Sequence, residues 1–503
     1  MLAPSALLTD LYQLTMAFGY FRAGIALRDS CFHLHFRKCP FKGGYAIAAG
    51  LEPALDFVEQ LRFTDDECAY LAELYDAQKQ RLFPDDFLRF LQETPNGLEV
   101  DAIAEGTAVF PHEPLLRVSG PLYQAQLVET TLLTIVNFQT LVATKASRVR
   151  QVAGDRPVVE FGLRRAQGVD GGLAVSRAAY LGGCSGTSNV LAGMQYGVPV
   201  TGTHAHSWVM AFPDERTAFD AYADAMPGNC IFLVDTYDTR KGVGIAIEVG
   251  KRLEAQGGRL NGVRLDSGDL AELSKDARAQ LNAAGMHDAK VVASNDLDEY
   301  AIAQLQEEGA LVDIYGVGTR LSTCYDQPAL GGVYKLSALA DAEGRLVPTI
   351  KLSELPIKVS LPGRLGTKRL LRDGVPVGDV LFDLDHSGPS LSLCSLATGE
   401  PVPTPAHDSV VELSQPVLRA GKRLVPAPTP TAAREASKRQ LGEARDRAKR
   451  EVSALPQSLT ALTATSEYPV FLEAHVARSR AELMAARRPG PSLVPIPVKE
   501  VSP

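Results

Sequence analysis

Between residues 158 and 317 the chain repeats one pattern, and it restricts the fold more than any other feature of the 503 residues. Short apolar runs fall at Val158–Phe161, Val198–Thr201, Ile231–Val234, Gly262–Leu265, Val291–Ala293 and Val312–Tyr315. Most are followed by a helix-like stretch, among them Gly242–Gln256, Leu270–Ala284 and Leu297–Glu308. Apolar runs of strand length that recur every roughly 20 to 40 residues with helices between them have the rhythm of βα units. The repetition predicts an α/β domain built on an irregular βα barrel, closed or nearly closed. An open doubly wound sheet stays as the alternative, because periodicity does not report closure.

The flanks read differently. Residues 1–120 predict an N-terminal α+β domain. Thr9 or Asp10 caps a helix with Leu11, Leu14 and Phe18 on its apolar face. Cys31–Phe36 alternates as a strand and runs into the basic, glycine-bearing loop Arg37–Gly44. Ala46–Leu61 and Asp65–Glu73 read as helices, and Leu98–Val109 and Leu115–Val118 as strands. Leu122–Val149 lacks Gly and Pro and predicts a long helix that opens the barrel domain, 121–335. In 336–425 and just before it, strand-like pieces return at Lys335–Leu339, Thr349–Leu352, Val380–Leu384 and Val410–Leu413. They are expected to rejoin the N-terminal sheet, so that both ends of the chain form the α+β domain. The remainder, 426–503, reads as a Pro-rich linker and a helical tail. In that tail Arg434–Ser453 is a charged, solvated helix, Pro469–Arg487 a second helix, and the last dozen residues are frayed.

A formal net charge of −8 argues against nucleic acid or an anionic membrane as the partner, though not against a local anion pocket. No run of about 18 apolar residues occurs, and the N-terminus lacks the basic and apolar regions of a signal peptide. The expectation is a cytoplasmic protein. Seven scattered cysteines without a Cys-x-x-Cys pair read as reduced thiols, not as disulfides or a zinc site.

The chemistry gathers where the apolar runs stop. In order these ends carry Glu160–Arg165, Thr203-His204-Ala205-His206, Asp235–Arg240, Arg264–Asp269, Ser294-Asn295-Asp296 and Gly316–Arg320. In a βα fold the carboxyl ends of the strands share one face, where ligands bind. Arginines there fork onto carboxylate or phosphate oxygens, or pair with nearby aspartates. Gly316–Thr319 offers unobstructed backbone N–H groups and a hydroxyl, which suit a phosphate. Asp266 suits ribose hydroxyls or Mg²⁺ or a helix cap, and Asp269 reads as a cap. His204-x-His206 is compatible with a metal pair or with an ordinary strand end. Phe161, Tyr12 and Trp208 read from composition alone as packing residues.

The segment EFGLRRAQGVDGGLAVSRAAYLGGCSGTSNVLAGMQYGVPVTGTHAHSW, residues 160–208, resembles the nicotinate phosphoribosyltransferase family. So do TDLYQLTMAFGYF (9–21), FRKCPFKGGYAIAAGLE (36–52), LVDTYDTRKG (233–242), GVRLDSGDL (262–270) and GVGTRLSTCYDQPALGGVYKL (316–336). The likeness runs from about residue 8 to about 425, with the tail beyond 430 outside it. It implies that nicotinate and phosphoribosyl pyrophosphate become nicotinate mononucleotide and pyrophosphate, with ATP hydrolysed and Mg²⁺ present, in NAD salvage.

Residue roles follow from the same likeness. His206 resembles the family's phosphorylated histidine, and Asp235 the carboxylate that orients its ring. Arg264 and Thr203 resemble nicotinate contacts, Asp266 a ribose contact, and Gly318 with Thr319 the 5′-phosphate loop. Phe161 would stack on the pyridine, and Arg164 would meet the phosphates or the carboxylate. Tyr12 would stack from a neighbouring subunit, which implies a homodimer with a shared active site. Ser188 stands where the related nicotinamide enzymes carry aspartate; a hydroxyl donates to a carboxylate where an aspartate repels it. Nicotinamide or quinolinate phosphoribosyltransferase, an inactive nucleotide-sensing homologue, and a zinc-binding barrel on His204 and His206 are the competing readings.

Overall fold

The computed structural model describes residues 5–355, 358–386, 391–425 and 433–487. The repeated segment forms a parallel sheet with helices between its strands. Its strands are β1 (Val158–Glu160), β2 (Gly186–Thr187), β3 (Ile231–Leu233), β4 (Gly262–Leu265), β5 (Lys290–Ala293) and β6 (Ile314–Val317). They lie in the order β2-β1-β6-β5-β4-β3, so the first strand pairs with the last and the ladder ends at β2 and β3. Hydrogen bonding therefore does not close a ring. The run expected at Val198–Thr201 is no full strand, only a single parallel bridge from Val200 to Thr187 beside β2. β2 itself, two residues long, was not visible as an apolar run. All six strands are short, and burial of most residues of the other five explains their largely apolar character.

A second sheet, seven-stranded and antiparallel, touches the long helix Glu129–Ala153 through its strand Val333–Ala340. It takes Asp29–His35, Glu99–Ile103 and Leu116–Pro121 from the front of the chain and Val333–Ala340, Leu346–Pro348, Ser414–Arg419 and Lys422–Arg423 from behind. The long helix is rich in threonine for a physical reason. Thr144 Oγ1 accepts the Ile47 N–H at 2.9 Å, and Thr140 Oγ1 accepts that of Ala49 at 3.2 Å. The helix thus satisfies buried backbone donors of a segment that is too short to do so by sheet pairing. That segment corrects the single helix expected over Ala46–Leu61: Ala46–Ile47 is a strand, Gly50 is left-handed at φ 95°, and the helix is Leu51–Glu59. Val128 likewise divides the long helical stretch into Leu122–Leu127 and Glu129–Ala153.

The largest departure lies after residue 360. Val380–Leu384 and Val410–Leu413 do not rejoin the N-terminal sheet. They belong to a third sheet that contains Leu365–Arg372, Val375–Asp383, Leu393–Ser395, Pro401–Val402, Ser409–Glu412 and Val470–Glu473. Its nucleus is the hairpin of the first two, joined by Asp373-Gly374 with φ of 52° and 76°. Asp-Gly is the turn chemistry that a tight hairpin with two left-handed residues requires. Thr349–Leu352 is not a strand; Leu346–Pro348 is.

The tail is part of this packing. Val470–Glu473 runs parallel to Val375–Asp383, so the helix expected over Pro469–Arg487 begins only at Ala474. The charged helix Ala433–Ala454 is not solvated all round: Ala436, Leu441, Ala444 and Ala448 are buried, facing the helices Val169–Leu181 and Val190–Tyr196. The proline-rich stretch 426–432 and the residues after 487 lie outside the described residues.

Candidate active site

The strand ends meet in one network whose centre is Arg264 on β4. Its Nε donates to Ser294 Oγ at 2.9 Å, one terminal nitrogen to Thr203 Oγ1 at 3.2 Å, and the other to Asp266 Oδ1 at 2.9 Å. The guanidinium carbon sits 5.3 Å from the centre of the Phe161 ring. Ser294 also donates to Asp266 Oδ1. A cation is thus held beside an aromatic ring, its direction fixed by two hydroxyls and a carboxylate. Gly316 makes the arrangement possible, since a Cβ there would lie 2.6 Å from Phe161 Cδ2.

His206 opens the short helix His206–Met210 beside this network. Its Nδ1 is 3.1 Å from Thr236 Oγ1, and its Nε2 is 3.9 Å from Asp266 Oδ2. Asp235, expected to orient that ring, has no hydrogen bond to it. Its Oδ2 instead accepts from the Asp266 N–H at 2.9 Å and from Ser267 Oγ at 2.6 Å, while its Oδ1 is buried without a partner among the described residues. The reason is geometric: Asp235 follows β3 and turns toward the neighbouring β4 loop, and the next residue, Thr236, reaches the histidine. Close by, burial together with Asp235 and Asp238 pushes the Glu215 carboxyl up to about 7.

The other expected residues are placed as follows. Gly318 precedes the one-turn helix Thr319–Ser322 at the end of β6. Phe161 donates its N–H to Val317 O at 2.8 Å, which brings the β1 and β6 loops together. Ser188 is half-buried next to β2 and donates its N–H to Glu160 O at 3.0 Å. Arg164 lies in the exposed turn Leu163–Arg165 and makes no ion pair among the described residues. Tyr12 is exposed on the helix Leu11–Arg22, which packs on Leu122–Leu127, and shares no hydrogen bond with the sheet-edge group. Asp269 caps the helix Leu270–Ala283 by accepting from Ala271 and Glu272 N–H.

Three contributors were not singled out from sequence. Ser294 and Thr236 were visible only as unremarked polar positions within the strand-end motifs. Glu160 is 1% exposed and accepts from Gly162 N–H, from Ser176 Oγ at 3.1 Å and from Thr187 Oγ1 at 2.5 Å. Nothing in a run of Val-Val-Glu-Phe marks that glutamate as buried. Ser294 begins a loop in which Asn295 and Asp296 both have positive φ, 104° and 43°. Backbone held in that region by side chains other than glycine is a local cost that persists where the surroundings enforce it.

His204 does not pair with His206 as a metal site. It is 7% exposed, its Nε2 accepts the Leu233 N–H at 3.2 Å, and its ring packs among Phe219, Tyr222 and Phe232. Its imidazole fills the break in hydrogen bonding at the β3 edge. Burial, with Arg264 and His206 adding to it, pushes this imidazole down to about 4 from its ordinary 6.5. Burial does the same to His33, to about 3, and to His112, to about 4. Histidines kept neutral in the fold take up protons more readily when unfolded. Their contribution is therefore full above pH 6.5 and is lost as pH falls toward 4. For His204 the loss is on the order of 3 kcal/mol. Urea midpoints should fall over that window. His204→Gln, which keeps an acceptor for Leu233, should flatten part of the slope; an identical pH profile in the variant would refute this account.

An arginine beside an aromatic ring, a glycine-threonine turn and a histidine near a carboxylate thus gather at one edge of the sheet. Comparison with known proteins identifies the class. Residues 7–137 match the model of the nicotinate phosphoribosyltransferase (NAPRTase) N-terminal domain, and residues 157–347 that of the nicotinate phosphoribosyltransferase (NAPRTase) family. The nicotinate phosphoribosyltransferase of Bacillus subtilis (strain 168) is 50% identical over 366 residues, 72% of each chain. That of Homo sapiens is 37% identical over 547 aligned positions, 97% of this chain and 98% of its own. The crystal structure of the human nicotinic acid phosphoribosyltransferase superposes with a TM-score of 0.78 at 35% identity, covering 94% of this chain and 99% of that one. The chain belongs to the nicotinate phosphoribosyltransferase family and is an enzyme of that kind. The human alignment also takes in the tail, so the likeness does not stop near residue 425 as the sequence motifs suggested.

Proposed function

We propose that the protein transfers the phosphoribosyl group of phosphoribosyl pyrophosphate to nicotinate, releasing pyrophosphate, with ATP hydrolysis coupled to the transfer in NAD salvage. The observation that carries this reading is Arg264, fixed by three acceptors with its guanidinium 5.3 Å from the centre of the Phe161 ring. Nicotinate is a flat ring with one carboxylate. The ring suits the space along Phe161, and the carboxylate suits guanidinium N–H groups that the three contacts leave over. The pyridine nitrogen then attacks the ribose C1, the C1–O bond breaks, and its electron pair leaves with pyrophosphate. Positioning and charge neutralisation carry such a step more than proton transfer does. Asp266 is assigned to the ribose hydroxyls and the Gly318-Thr319 turn to the 5′-phosphate. Exposed Arg164 is assigned to phosphate oxygens, since it makes no ion pair among the described residues.

ATP phosphorylates His206 in this reading. With the Nδ1 proton donated to Thr236, the Nε2 lone pair is free to attack the γ-phosphorus, and ADP departs. Mg²⁺ would supply charge neutralisation to the phosphates; Asp235, whose buried Oδ1 has no hydrogen-bond partner among the described residues, and Asp266 are the carboxylates that would hold it. The parallel sheet is an irregular barrel, with 198–201 as a further stave beside β2 and His204 at the break. A homodimer completes the site through Tyr12, and exposed Leu8, Leu11 and Met16 around it support that reading. No helix among the described residues is long and apolar enough to cross a membrane, and all seven cysteines are free, which supports a reducing cytoplasmic setting.

The deciding assay is pyrophosphate release with Mg²⁺ and phosphoribosyl pyrophosphate, comparing nicotinate, nicotinamide and quinolinate, each with and without ATP. Nicotinate alone should be turned over, and ATP should accelerate it. His206→Ala should keep a basal rate and lose the acceleration; an undiminished ATP effect would remove His206 from the role. Ser188→Asp should cut nicotinate kcat/KM by about tenfold or more through carboxylate repulsion. Unchanged kinetics would dismiss Ser188 as a selectivity residue. No turnover of any of the three substrates would favour a nucleotide sensor.

A further inference from the structure

Asp383, His386 and His475 each bring a ligand atom within 4.8 Å of the others, on the third sheet and away from the Arg264 network. Asp383 ends the strand Val375–Asp383. His386 closes the turn behind it, its N–H donating to Asp383 O at 3.2 Å. His475 stands in the first turn of the tail helix Ala474–Arg487. The group thus joins the sheet to the tail. Asp383 is 3% exposed, with one carboxylate oxygen 3.5 Å from His386 Nδ1 and the other accepting from Asp385 N–H at 3.1 Å. Nδ1 of His475 is shielded from solvent and has no hydrogen-bond partner among the described residues. Buried imidazole nitrogens ordinarily find a partner, and one left without it is costly.

We propose that Asp383, His386 and His475 bind one divalent transition-metal ion of the zinc type, which fastens the tail helix to the third sheet. Two imidazoles and one carboxylate form a donor set that Zn²⁺ and its first-row neighbours prefer, whereas Mg²⁺ and Ca²⁺ prefer oxygen throughout. The rings of His386 and His475 are stacked, with centroids 4.0 Å apart and planes 11° from parallel. One ion cannot lie in the planes of two parallel rings, so the stack is the metal-free arrangement. Binding turns His386, half exposed at 50%, out of the stack, while the more enclosed Asp383 and His475 hold their places. Three protein ligands leave a fourth position to water.

The test uses the full chain, stripped with a chelator and titrated with ZnCl₂ alone in a calorimeter. Wild type should take up one equivalent more than His386→Ala, or bind that equivalent at least tenfold more tightly. His475→Ala should match His386→Ala. Amide exchange across 474–487 should slow on adding Zn²⁺ in wild type and not in either variant, and MgCl₂ should leave it unchanged. His386 lies in an exposed turn, so its replacement leaves the fold in place and the comparison stands. Equal zinc uptake by wild type and both variants, or no uptake by wild type, overturns the proposal.

Discussion

Arg264→Ala should lower kcat/KM for nicotinate by about 10²- to 10³-fold, mostly through KM. Truncating one partner of a largely desolvated charge pair costs about 3–5 kcal/mol, much of it from the groups left behind. Here those groups are Asp266 Oδ1, Ser294 Oγ and Thr203 Oγ1, all three turned toward the guanidinium. Arg264→Lys should recover only part of the loss. A lysine brings the charge back, yet one ammonium cannot span three acceptors as the planar guanidinium beside Phe161 does. The KM for phosphoribosyl pyrophosphate should move far less in both variants. A nicotinate KM within twofold of wild type in Arg264→Ala would dismiss the arginine as the carboxylate's partner.

The same network ties its charged groups to one another. Arg264 is balanced by Asp266, and Asp235 is tied by the Asp266 N–H and the Ser267 hydroxyl. Beside it, Glu215 is pushed up to about 7 by burial and by two nearby aspartates. It stands near enough to Asp235 to respond to cations or phosphates that reach the β3 loop, which places it among the groups a pH–rate profile would report.

Periodicity made the parallel sheet legible because each buried strand is a short uninterrupted apolar run, and the motif at its end is polar by contrast. β2 escaped for the opposite reason: Gly186-Thr187 has no apolar signature, and its neighbours determine its pairing. The third sheet escaped because its partners are distant in sequence. Val375–Asp383 is joined by Val470–Glu473, and that pairing cannot be read from either segment alone. Val380–Leu384 and Val410–Leu413 were legible there as strands, but not the sheet they join. Within the site, residue types with unusual chemistry stood out, as Arg264, His206 and Asp266 did. Residues that act by holding others were hidden, because a serine, a threonine or a glutamate acquires that role only through its burial and neighbours. Asp235 shows the limit of motif reasoning: the strand end was right, and the side chain that touches His206 is the next one along.

Glu160 is where that hidden layer should be most sensitive. Its buried carboxylate accepts from the Gly162 N–H and from the hydroxyls of Ser176 and Thr187, and its backbone carbonyl accepts from Ser188. One residue thereby fixes the loop that carries Phe161 and the turn that carries Ser188. Glu160→Ala leaves the Gly162 donor without a partner in the interior and opens a void beside two hydroxyls. Ser176 can still donate to Gly172 O at 3.0 Å, so the loss is partial, on the order of 3 kcal/mol. The melting temperature should fall by several degrees, and at a temperature where the variant is folded the nicotinate KM should rise by about tenfold as the Phe161 loop loosens. Glu160→Gln keeps an oxygen for Gly162 and an amide that the rotatable hydroxyls can accept from, so it should recover most of the stability and much of the KM. A loss of stability with an unchanged KM would make Glu160 a packing element only. A raised KM rescued by glutamine would tie the interior carboxylate to the Phe161 loop.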